Sequence, residues 1–164
     1  MASPQSRHVL IGLGNVDRGD DGAGRLVARM LKGQLPANVN IVELDGEVTA
    51  VLSRLQEADV AVLVDACNCG APAGDVLRFD VAAQCLPQHG FAVSTHGVDI
   101  ANALELARTL GDLPEVCIVY GIEGQQFGPG SALSAPVAEA VREVAQRVLG
   151  DFERLRSNGT QLNA

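Results

Sequence analysis

The chain has 164 residues, enough for one domain with a continuous core and too few for two. Its 12 basic residues are scattered and outnumbered by 20 acidic ones, for a net charge of −8, which argues against a nucleic-acid partner that needs clustered Lys and Arg. No apolar run reaches the roughly 18 residues of a membrane span, and the start, MASPQSRHVLIG, lacks the features of a secretory signal, so a cytoplasmic protein with no membrane partner is expected.

Hydrophobic residues make up 47% of the chain but aromatic ones only 3%, with no Trp. The core must therefore come from Val, Leu, Ala and Ile, which suits a sheet covered by helices on both faces. His8–Leu13 reads as a buried strand, a short apolar run ended by Gly. The loop GNVDRGDDGAG follows, then a helix over 24–32 with Val27, Met30 and Leu31 on one stripe and Gly33 as its stop. A strand over 39–44, a helix over 48–57 and an apolar strand over 60–65 come next. Residues 75–79 read as a shorter, more polar edge strand. A helix over 98–110 and a last buried strand over 116–120 lead to a final helix over 136–149. There Val137, Val141, Val144 and Val148 form one stripe, and Gly150 is read as closing it. The single domain is thus placed at 1–150, with 151–164 as a polar, fraying tail. Strand–helix alternation predicts a mainly parallel sheet with helices on both faces.

In open sheets of this kind ligands bind at the carboxyl ends of the strands. The first strand leads there to Asp20 and Asp21, the second to Asp45, the third to Asp65, while Ser94-Thr95-His96 stands before the 98–110 helix. Asp20 and Asp21 precede a helix, where either could act as cap. Asp20 is assigned that role, which leaves both capping and a ligand role open for Asp21. Asp65 closes a strand as apolar as VAVLV and needs a partner for its charge. Asp45 adjoins Gly46, and a turn bonded to its own backbone is the favoured reading. His96 alone could be an ordinary residue at a helix start, and neither His8 nor His89 looks functional. Taken together, two carboxylates and an imidazole from three segments make a mixed O/N set with open positions, suited to nickel or zinc.

Competing chemistries fit less well. GLGNVDRG begins like a dinucleotide fingerprint, but Asp17 stands where the third glycine belongs, and it would repel a pyrophosphate together with Asp20 and Asp21. No G-x-S-x-G elbow exists. Cys67, Cys69, Cys85 and Cys117 are expected as thiols rather than a disulfide framework. Cys67 and Cys69 could touch a metal, although no second Cys or His pair at zinc-site spacing accompanies them.

At these residues the chain resembles the hydrogenase maturation proteases. Their opening signature, a strand then G-x-G-N, four variable residues and D-D-G-x-G, is matched by Gly12 to Asn15 and Asp20 to Gly24. Asp45-Gly46, Val64-Asp65-Ala66 and Ser94-Thr95-His96 match the later motifs, so the resemblance runs over about residues 8–149. Val16-Asp17-Arg18 departs mildly, since many members are more apolar there. The resemblance implies an α/β three-layer sandwich with a mostly parallel, five-stranded twisted sheet. It further implies an endopeptidase that removes the C-terminal extension of a [NiFe] hydrogenase large-subunit precursor after nickel insertion. Asp21, Asp65 and His96 would then be the metal ligands and act through the metal, with Asp45 a candidate helper and Glu123 a second candidate base. The nickel is expected to arrive with the substrate, and zinc or cadmium to substitute in vitro. A non-proteolytic nickel-binding assembly chaperone, or an unrelated α/β binding domain, are the alternatives from other classes.

Overall fold

The computed structural model describes residues 6–87, 90–91 and 100–161. In chain order the elements are β1 (His8–Leu13), a 3-10 turn (Gly19–Gly22), α1 (Ala23–Leu31), β2 (Val39–Leu44), α2 (Val48–Gln56) and β3 (Val60–Cys67). They are followed by β4 (Val76–Asp80), α3 (Ile100–Leu110), β5 (Val116–Glu123) and α4 (Ala135–Gln161). The strands make one five-stranded sheet in the order β2-β1-β3-β5-β4. All neighbours are parallel except β4, which pairs antiparallel with β5 at the edge.

Alternation along the strands sends successive side chains to opposite faces. Val62, Val64, Ile118 and Ile122 pack against α1 and α4 on one face. Val9, Ile11, Ala61, Leu63 and Val119 pack against α2 and α3 on the other. The central strands β1 and β3 are apolar on both sides because both sides are covered, which produces the continuous runs HVLIGL and VAVLV.

The chain leaves β1 toward β2 on one side and returns through α2 to β3 on the other. Connections of opposite sense part the loops there, so a crevice opens at the carboxyl ends of β1 and β3. Asp21 follows β1, and Asp65 lies on β3.

The third and fifth strands run further than expected, to Cys67 and Glu123. This carries three polar-capable side chains, Asp65, Cys67 and Glu123, into the rim itself. The last helix requires a larger correction. Gly150 does not close it: α4 continues to Gln161, and much of the expected polar tail is helix. Phe152 extends the Val137–Val148 stripe by one more turn and is fully buried, its ring stacked on His8 at 6.0 Å. A glycine inside a helix costs about 1 kcal/mol relative to Ala, less than the roughly 3–5 kcal/mol at stake in a buried Phe. Asp151 adds a polar anchor, accepting from Tyr120 Oη at 2.5 Å and from Arg78 at 3.3 Å.

Candidate active site

The segment between β1 and α1 is shaped by close approach. Gly14 has φ +122°, and a Cβ there would run into the backbone carbonyl of Asp21. At Gly24 a Cβ would collide with the Val64 carbonyl and sit 2.6 Å from the Leu13 carbonyl oxygen. Only glycine lets the start of α1 lie directly on β1 and β3, and this contact sets the 3-10 turn over the end of the sheet.

The two acidic residues of that turn then point to different tasks. Asp20 is fully buried and receives four hydrogen bonds from the far end of the chain. The backbone N–H groups of Gln125 and Gln126 donate to Oδ2 at 2.9 and 3.1 Å, the Ser134 N–H donates to Oδ1 at 2.8 Å, and the Ser134 hydroxyl to Oδ2 at 2.9 Å. The expectation that Asp20 caps its own helix is therefore corrected: neither the turn nor α1 has a side-chain cap. Asp20 instead ties the loop after β5 to the residue preceding α4. The sequence offers no local sign of this, because the donors lie more than a hundred positions away.

Asp21 is 3% exposed, and its Oδ2 accepts the Asn15 N–H at 3.0 Å. It faces a small cavity of about 20 Å³, the scale of one ion or water. Leu13, Asp45, Asp65 and Phe91 line the same cavity, together with Val51 of α2 and Ile100 and Ala103 of α3. Asp65 stands opposite Gly121 in the β3–β5 register. The missing side chain at Gly121 leaves the space that Phe91 and the Cys67 sulfur approach.

Both carboxyls are shifted upward. Burial raises the Asp21 pKa, opposed in part by the Asn15 N–H and the Arg18 charge. Asp65 is pushed up to about 8, mainly by burial and secondarily by the charge of Asp21, with the Ala66 N–H opposing. Neither carboxylate forms an ion pair among the described residues. Two carboxyls crowded at one cavity without a counter-charge resist ionising together, and a divalent cation would relieve that cost. Asp45 also lines the cavity, and its Oδ1 accepts the Glu47 N–H at 3.2 Å, the turn bond expected of it. His96, with Ser94 and Thr95, lies outside the described residues.

One group of residues gained a meaning that spacing alone had not suggested. Glu123, at the end of β5, is buried and receives the Cys67 thiol at 3.3 Å and the backbone N–H groups of Cys69 and Gly70 at 2.9 and 3.0 Å. Burial, with the neighbouring Cys69 and Glu123, pushes the Cys67 thiol far above its ordinary range, so it is no ready nucleophile.

Comparison with known proteins identifies the chain's relatives. The chain is 28% identical over 152 residues to the hydrogenase expression/formation protein HupD of Thiocapsa roseopersicina, covering 88% of this chain and 68% of that protein. Its structure is similar to the [NiFe] hydrogenase maturation protease HycI of Thermococcus kodakarensis, with a TM-score of 0.67 and 26% identity over 92% of this chain and 95% of the other. The hydrogenase maturating endopeptidase HybD of Escherichia coli shares the fold at a TM-score of 0.73 and 22% identity, covering 90% and 93% of the two chains. Residues 25–151 match the family model described as hydrogenase maturation protease. The chain belongs to the hydrogenase maturation protease family.

Proposed function

We propose that the protein removes the C-terminal extension of a [NiFe] hydrogenase large-subunit precursor once nickel has been inserted. Asp21 and Asp65, with His96, would hold that nickel while it remains part of the substrate. The observation that supports this most is the carboxylate pair at the β1/β3 crevice, both members raised in pKa and neither paired with a base among the described residues. The donor set suits the ion. Carboxylate and imidazole ligands bind nickel and zinc, and two carboxylates plus one imidazole leave positions for groups of the precursor. When bound there, the ion would supply Lewis acidity toward a peptide carbonyl or water. The chain's own part is to present the two carboxyls side by side in the cleft, with Asp45 at its wall, so that a cation arriving there would displace the proton that burial holds on Asp65. Zinc or cadmium should occupy the same ligands in vitro.

The test is conversion of a nickel-loaded large-subunit precursor to its shortened form by the wild type and by Asp21→Asn, with circular dichroism confirming the fold. Cleavage by the wild type and its loss in the variant support the assignment. Wild-type-rate cleavage by Asp21→Asn would remove Asp21 from the ligand set. Nickel binding without any cleavage would instead favour an assembly chaperone.

A further inference from the structure

The carboxyl ends of β3 and β5 bring together a second set of donor atoms, separate from Asp21 and Asp65. Cys67 and Glu123 are partners in the strand register, and Cys69 rejoins them after a single intervening residue. Both sulfurs and a Glu123 oxygen lie within 4.8 Å of one another. In a tetrahedral zinc site, with Zn–S about 2.3 Å and Zn–O about 2.1 Å, ligand atoms are roughly 3.6–3.8 Å apart. The Cys67 Sγ and Glu123 Oε2, at 3.3 Å, already have about that spacing.

We propose that Cys67, Cys69 and Glu123 form a metal site for a thiophilic divalent ion, zinc foremost, with two thiolates and one carboxylate as ligands and a fourth position open.

Three features carry this beyond proximity. First, Glu123 is 1% exposed, and among the described residues no Lys or Arg bonds it. Among the described residues its oxygens meet the Cys67 thiol and two backbone N–H groups and no side-chain cation, so the place of a positive ion is not taken. Second, the N–H groups of Cys69 and Gly70 hold its two oxygens. The loop carrying the second thiol is thereby wrapped around the third ligand, the outer-shell orientation that metal ligands require. Third, the donor types suit the ion: two sulfurs and a carboxylate oxygen are ordinary zinc ligands, the two thiol protons leaving to solvent on binding.

Cys69 is exposed while Cys67 and Glu123 are buried, which gives an ion a route to two fixed ligands. Cys67 lies two residues beyond Asp65 on the same face of β3, about 7 Å further along the strand. The proposed ion thus stands at the rim of the cleft and would fix the loop that begins there. Sequence spacing had missed it because the third ligand is 54 positions from Cys69 and joins it only through strand pairing.

The experiment is a titration of the reduced, chelator-stripped full chain with cobalt(II), followed by displacement with zinc. One equivalent should produce a sulfur-to-cobalt charge-transfer band, and zinc should bleach it. The band should persist in the Asp21→Asn/Asp65→Asn double variant. It should be weakened or lost in Cys69→Ser, with affinity lowered roughly 10–100-fold, and circular dichroism should show that this exposed substitution leaves the fold intact. Glu123→Gln should keep the band but weaken binding at least roughly tenfold. Absence of the band in the wild type would overturn the proposal and leave the cluster a tether of the loop. So would an undiminished band in Cys69→Ser, or its loss in the double Asp variant.

Discussion

Asp65→Asn separates what the cleft costs the fold from what it does for activity. The native carboxyl keeps its proton up to about pH 8, whereas in the unfolded chain it has released it above about pH 4. Across that window the unfolded state binds fewer protons, so stability falls as pH rises, by about 1.4 kcal/mol per unit for one proton. Between about pH 5 and pH 7 the full linkage is therefore about 2.7 kcal/mol. Asp65 is only partly buried by surface, so roughly half of this, about 1.4 kcal/mol, is the reasonable expectation. In a domain of this length that corresponds to about 3–6 °C in melting temperature. Asn has nearly the same shape and no charge, so the variant should lack this component. Urea unfolding of metal-free wild type and variant, in chelator at about pH 5, 6 and 7, measures it directly. The gap should widen in the variant's favour as pH rises, while precursor cleavage is lost. Parallel stability–pH lines for the two proteins would refute the claim that Asp65 is held protonated by burial beside Asp21.

Asp20→Asn should be far from mild, because one of the two oxygens serving four donors becomes an amide facing N–H groups; a loss of about 2–4 kcal/mol by urea unfolding is expected. Gly24→Ala would force a methyl against the Val64 and Leu13 carbonyls and should cost about 3 kcal/mol in the same assay. Glu43, held at about 2 by Lys32, Arg29 and Arg25 despite the opposing effect of burial, contributes stability that is present above its ordinary pKa and lost as pH falls toward about 2. Glu43→Gln should flatten the acid limb there and, with such exposed partners, change neutral-pH stability by only about 1 kcal/mol.

Much of the architecture was legible before any coordinates. Periodicity placed every strand, because a central strand covered on both faces has to be apolar throughout, and VAVLV can satisfy that only in the middle of a sheet. The glycines of the first motif were visible as a pattern, and the contacts at Gly14 and Gly24 supply their cause. Asp21 and Asp65 could be picked out together because one follows the first apolar strand and the other closes the third, at the carboxyl ends where open parallel sheets bind ligands.

What sequence spacing could not decide was every interaction whose partners meet only through the sheet. Asp20 looked like a cap because its neighbours form a helix, yet its donors come from residues 125–134. Gly150 looked like a stop because local propensity says so, while burial of Phe152 against His8 carries the helix through it. Glu123 and the two cysteines looked unrelated until parallel pairing set Cys67 beside Glu123. Local pattern fixes which residues can form strands and helices, since it acts over one or two turns. Which distant side chains share a carboxylate, or a cavity, is set by register and packing, which only the assembled sheet possesses.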